Sequence, residues 1–258
     1  MNILKEFSTN SINYLNGLKN TKTKTFDGWT LWERIWLISS TLLITLASYM
    51  TWDPTNQLAS WVALISSVTG MWCVILVAKG KISNYIFGFV NIVFYAWAAY
   101  MWQLYGDFML NAFYFLPMQF YGWYIWTKPD FKINNDNVVS KFLSNKARIF
   151  WALITAVATY GYGVFLTSLG GNTPYLDSAS TVFSIIAMIL MAKAYAEQWV
   201  LWIIVDAVTV VMWANIVFQL GGIFNMGILI MWCCWTINAL VGFFMWVKRH
   251  KNNYYYAR

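Results

Sequence analysis

Apolar residues in this chain fall in long unbroken blocks, separated by short polar punctuation. A run of about 20 such residues is what a helix needs to cross a hydrocarbon core roughly 30 Å thick. The blocks predict eight helices of that kind, at roughly 31–50, 58–78, 83–104, 108–126, 148–169, 177–193, 198–219 and 223–247. A membrane β-barrel would instead need alternation over segments of about 10 residues, and the sequence has none. The breaks carry turn chemistry: Asp53-Pro54-Thr55-Asn56, Tyr105-Gly106-Asp107, Gly170-Gly171-Asn172-Thr173-Pro174 and Gly221-Gly222. Pro117 predicts a kink inside the fourth block. The longest polar stretch, about 127–147, contains Lys128-Pro129-Asp130 and Asn134-Asn135-Asp136-Asn137 and divides the chain in two.

The two halves echo each other. Val77-Ala78-Lys79 closes the second block and Met191-Ala192-Lys193 closes the sixth, an offset of about 115. Tyr105-Gly106-Asp107-Phe108 then falls opposite Leu220-Gly221-Gly222-Ile223, and Asn91 falls opposite Asp206 at similar depth. A three-helix unit at 58–126 and a second at 177–247 therefore flank a loop and linker span at 127–169, with an extra N-terminal span at 31–50. One span joins two odd-numbered units, so both enter the membrane from the same side. The expected fold is an all-α membrane protein: a 3+1+3 core of parallel repeats about an axis along the membrane normal, plus one span.

Residues 1–30 are polar and lysine-bearing. They read either as a disordered leader or as an interfacial helix with Ile3, Phe7, Tyr14 and Leu18 on one face and Lys5 and Lys19 at its ends. The stretch is no signal peptide, because its charged region is too long and no small-residue cleavage site follows.

Composition agrees with the blocks. The chain is 60% hydrophobic and 10% charged, whereas soluble domains carry about 25% charged residues. The net charge of +7 does not imply nucleic acid, because the basic residues sit between apolar blocks. With eight spans all 17 Lys and Arg fall on one side, which puts both termini, including the 248–258 tail, in the cytoplasm. Cys73, Cys233 and Cys234 lie within apolar blocks and read as packing thiols, with no disulfide framework, metal site or cofactor expected.

Candidate chemistry concentrates in Gln198–Asp206. Trp199, Trp202 and Asp206 are spaced i, i+3, i+7 and share one helical face. Asp206 lies roughly 12 Å past Gln198, near mid-membrane, where an acid faces protein or water rather than lipid. Trp199 also fits an interfacial aromatic belt, and Asp206 also fits a helix-packing partner. Asn91 and Tyr95 share a face in the first unit, where Asn91 is a site residue or interhelical glue. Gln119 and Asn238 offer amides for hydroxyl groups, with Asn111 and Asn225 nearer the outer surface. Indole faces attract cations by about 0.5–2 kcal/mol each, so the set suits an aromatic cation. An enzyme would need a nucleophile–base pair or a metal constellation, and the only histidine, His250, is in the polar tail.

Trp199-Val200-Leu201-Trp202, at the start of the second unit's middle span, resembles the WxxW motif of the PnuC family of nicotinamide riboside transporters. Tyr121-Gly122-Trp123-Tyr124-Ile125-Trp126 resembles the aromatic stretch that closes the family's first unit. The resemblance covers about residues 58–247 and implies a SWEET-like fold. It also implies facilitated diffusion of nicotinamide riboside across the bacterial inner membrane, trapping by a soluble riboside kinase, and a homotrimer. Two other readings stay open: a receptor-like membrane sensor, and a proton-coupled carrier using Asp206.

Overall fold

The computed structural model describes residues 2–20, 28–133, 137–168 and 174–256. The turn expected at 170–174 and the Asn134–Asp136 part of the central loop lie largely outside these residues, as do Lys22, Lys24 and Arg258.

A helix occupies each apolar block. Helix α1 is Asn2–Asn20, α2 Leu31–Met50, α3 Gln57–Ala78 and α4 Asn84–Met101. Thr30 and Glu33 form a capping box that starts α2, and Asn56 Oδ1 accepts from Ala59 N at the start of α3. Such caps satisfy amides that no intrahelical carbonyl reaches.

The fourth block is interrupted. Helix α5 covers only Tyr105–Met109, a π-helical segment runs Leu110–Phe115, and α6 is Leu116–Trp126. Pro117 has no N–H, and its ring crowds the carbonyl four residues earlier. The helix meets that demand with a widened turn, in which Leu116 N donates to Asn111 O. The expected kink thus takes the form of a π-bulge.

Helix α7 is Asn145–Ser168, α8 Pro174–Ala192, α9 Gln198–Phe218 and α10 Met226–Tyr256. Helix α10 continues well past residue 247. Arg249 Nη2 donates to Ala78 O at 3.2 Å and the His250 ring sits 2.8 Å from Ser140 O, so the tail is helical because it is docked.

Among the described residues, four helices are long and apolar enough to cross a membrane: Gln57–Ala78, Asn145–Ser168, Gln198–Phe218 and Ile223–Asn252. Helix α7 leaves Ile149, Phe150, Leu153, Val157, Tyr160 and Phe165 exposed, which water would not tolerate as one patch. Helix α3 packs on α4, α10 and α2, while α9 packs on α10 and α8, and α7 covers α8. Helix α6 reaches both α4 and α8.

At the lysine-bearing end two turns match bond for bond. Lys81 N donates to Leu76 O after α3, and Tyr195 N donates to Leu190 O after α8, both at 2.8 Å. Gly80 (φ 63°) and Ala194 (φ 60°) hold the left-handed position in each. The central loop joins these turns, with Val138 N donating to Gly80 O and Lys141 N to Ala194 O. Two indoles then cross between the halves. Trp126 Nε1 of α6 donates to Met191 O, ending α8, and Trp246 Nε1 of α10 donates to Val77 O, near the end of α3.

Helix α1 docks on α6. Its packed face is Phe7, Ser11 and Tyr14, of which Tyr14 is fully buried, whereas Ile3 is exposed. Trp123 Nε1 donates to Ser11 Oγ at 2.9 Å and Tyr124 Oη donates to Glu6 at 2.8 Å, so polar contacts set the rotation of the helix.

Candidate functional site

A cavity lies between α3, α4, α5–α6, α8, α9 and α10. It offers about 110 Å³ to the centres of water molecules, where one water needs roughly 10–15 Å³. Six of the seven expected site residues line it: Asn91, Tyr95, Gln119, Trp199, Trp202 and Asp206.

Asp206 is 2% exposed and has no hydrogen-bond donor among the described residues. It lies on the cavity face of α9, one turn beyond Trp202. Trp202 packs against Phe115 of the π segment, ring centroids 6.1 Å apart. Trp199 is 2% exposed, too buried for an interfacial belt. It meets Trp246 edge-on at 6.1 Å, and Gly242 lies against its ring, where a Cβ would approach to 2.8 Å. The same arrangement stands in the first half, with Tyr85 edge-on to Trp126 at 5.1 Å and Gly122 against the Tyr85 ring. Trp199 is therefore both a scaffold residue and a cavity wall.

Asn91 acts first as glue, because its Nδ2 donates to Ser66 O of α3 at 2.9 Å. Gln119 keeps its Oε1 buried without a partner, which leaves an acceptor for a ligand. Tyr95 is a hub. Its hydroxyl accepts from Trp213 Nε1 at 2.8 Å and donates to Asp107 Oδ2 at 2.9 Å. Asn238 stands apart from the cavity, with its Nδ2 donating to Val74 O at 3.1 Å across the α3–α10 contact.

The structure adds residues that sequence reasoning missed. Asp107, expected in an external turn, lines the cavity, as does Asn111. Trp232 and Trp235 of α10 also line it, with ring centroids 4.5 Å apart. They form a second Trp-x-x-Trp pair, and that spacing was a visible signal. The same spacing recurs at Trp29/Trp32 and Trp123/Trp126, neither of which touches the cavity, so the motif alone does not select. Ser180 and Ser184 of α8 and Thr209 of α9 complete the polar lining.

No Lys, Arg or His is among the lining residues. The described residues hold no cluster of His, Cys, Asp or Glu able to bind a metal, and the three cysteines are free thiols. Indole walls, two carboxylates and free amide acceptors can bind a flat, polar, cationic solute. They make no nucleophile–base pair.

Comparison with known proteins agrees with this chemistry. The family model described as nicotinamide mononucleotide transporter matches residues 60–248. The nicotinamide riboside transporter PnuC of Neisseria mucosa is 36% identical over 238 residues, covering 89% of this chain and 87% of that one. The Escherichia coli protein of the same name is 30% identical over 214 residues, covering 73% of this chain and 86% of that one. A crystal structure of the vitamin B3 transporter PnuC superposes with a TM-score of 0.77 at 34% identity, over 88% of this chain and 95% of that one. Together with the apolar helices, the bacterial relatives indicate a multi-pass protein of the inner membrane. On its matched length, its fold and a cavity built for binding rather than catalysis, the chain belongs to the PnuC family of transporters.

Proposed function

We propose that this protein carries nicotinamide riboside through the cavity by facilitated diffusion. The observation that carries the reading is Asp206: a buried carboxylate without a partner among the described residues, in a cavity walled by Trp199, Trp202, Trp232 and Trp235. A pyridinium supplies the missing countercharge and stacks on indole faces. Gln119, Asn91 and Asn111 are placed to meet ribose hydroxyls and the carboxamide. The description of the matched family speaks of the mononucleotide, but a phosphate in this cavity would meet two carboxylates and no cation, so the riboside is the assigned substrate. Titration calorimetry on purified protein tests this. The riboside binds and its 5′-phosphate does not, and equal affinity for both would remove the assignment.

The same reading arranges the chain as eight spans, with two three-helix units (58–126 and 177–247) about the linker span and the lysine-bearing end in the cytoplasm. The matched turns and crossed indoles support it. Cysteines placed at Asn135 and Gln103, in a chain lacking its native cysteines, should label from opposite sides of the membrane. Assembly as a homotrimer and trapping by a soluble kinase follow from the family resemblance.

The unpartnered Asp206 also favours a second reading, proton coupling. Uphill accumulation in kinase-free vesicles that follows a pH gradient at zero membrane potential would establish it. Uncoupled flux changes in rate but not in final ratio.

A further inference from the structure

We infer that Asp107 is a specificity-determining residue, a carboxylate at the outer mouth of the cavity that admits cationic solutes ahead of neutral or anionic ones. The inference rests on the orientation and substrate proposed above and gives a separate role to a residue counted there only as a second carboxylate.

The geometry begins in the core. Trp213 Nε1 can only donate, and it donates to Tyr95 Oη. The single proton of Tyr95 is then directed onward, to Asp107 Oδ2. The chain of donors must end on an acceptor, and a carboxylate oxygen is the strongest one available. Trp213 is 0% and Tyr95 4% exposed, while Asp107 is only partly buried, so the chain runs from the interior to the surface. Oδ1 of Asp107 has no hydrogen bond among the described residues, which leaves it open to the mouth.

Asp107 is held in place without being neutralised. None of the groups lining the cavity is basic, and Asp206 is the more deeply buried of the two carboxylates. A solute arriving from this end meets one carboxylate at the mouth and a second inside. The two act differently. A partly exposed charge attracts cations over a distance and is screened by salt. A buried one acts at contact and is screened little. Asp107 therefore governs how fast a cation is captured, and Asp206 how tightly it is held.

Stopped-flow quenching of tryptophan fluorescence tests this in wild type, Asp107→Asn and Tyr95→Phe. The ligands are nicotinamide riboside and the riboside of benzamide, whose ring is neutral, each at low and high ionic strength. In wild type the association rate of the cation falls with salt and that of the neutral ligand does not. Asp107→Asn, which keeps an oxygen acceptor for Tyr95, slows the cation about fivefold at low salt and abolishes the salt dependence. Tyr95→Phe keeps the charge and therefore keeps the salt dependence. Full salt dependence in Asp107→Asn overturns the inference, as does its equal loss in both variants, which would make the pair a structural latch only. Equal wild-type rates for the two ligands overturn it while leaving the substrate in place. Failure of nicotinamide riboside to bind removes the substrate and the inference together.

Discussion

Helices α4 and α9 occupy corresponding places in the two halves, and their polar residues at matching depth behave differently. Asn91 of α4 gives its amide to Ser66 of the neighbouring helix. Asp206 of α9 gives its carboxylate to no described residue and faces the cavity. The same split holds one level nearer the lysine-bearing end. Tyr85 and Trp199 pack alike, each on a glycine and a buried tryptophan, yet only Trp199 borders the cavity. The scaffold is shared between the halves, but the second supplies the indole walls and the unpartnered Asp206, and the first supplies Asp107 and the amides of Asn91, Asn111 and Gln119.

Truncation of the paired aromatics gives the largest effect. Tyr85→Ala and Trp199→Ala each empty a fully packed site, and removal of a large aromatic from a core costs about 3–5 kcal/mol. Both lower the melting temperature in detergent by comparable amounts, but only Trp199→Ala also weakens riboside binding. Loss of affinity in both would mean that Tyr85 also shapes the binding cavity. Trp202→Ala, with less packing to lose, weakens binding more than it lowers stability, by about 5–30-fold for stacking and cation–π terms of 1–2 kcal/mol.

The polar pair comes next. Asn91→Ala removes a buried hydrogen bond and lowers stability by about 1–2 kcal/mol. Asp206→Asn removes an uncompensated buried charge, so stability holds or rises. Binding of the cationic riboside falls by about tenfold or more, and a neutral isostere is spared. Calorimetry with the two ligands, beside thermal melts, separates the roles, and equal losses for both ligands would take Asp206 out of the site.

The turns give the smallest effect. Ala194 is a non-glycine residue at φ 60°, a conformation that costs an L-residue roughly 1–2 kcal/mol. Ala194→Gly should stabilise by up to about 1 kcal/mol. Gly80→Ala should destabilise by more than that, because its Cβ would also run into the Arg249 guanidinium. Urea- or heat-induced unfolding of the two variants checks the opposite signs, and a loss of stability in Ala194→Gly would mean that the two turns are not equivalent.

The sequence by itself determined the helices. Block length and turn residues placed α2 at Leu31–Met50 and located α3 to α10 to within a few residues at most ends, and Pro117 marked the disrupted helix. That works because a helix satisfies its backbone within its own segment, so a long apolar run carries enough information alone. The face of Gln198–Asp206 was legible for the same local reason: Trp199, Trp202 and Asp206 are one residue set on one helix.

Tertiary structure decided how each helix is turned and what meets across the gaps. A helix apolar all round gives no clue to its rotation, because lipid and protein interior are equally apolar solvents for it. Asn238 could thus be placed on its helix but not seen to face Val74, and Trp232 and Trp235 could not be told from the other tryptophan pairs. Asp107 reads as external because the one-sided distribution of Lys and Arg puts its turn on the side away from them. It is held at the cavity by Tyr95 of α4, whose hydroxyl accepts from Trp213 of α9 and donates to Asp107, a meeting that no single segment encodes.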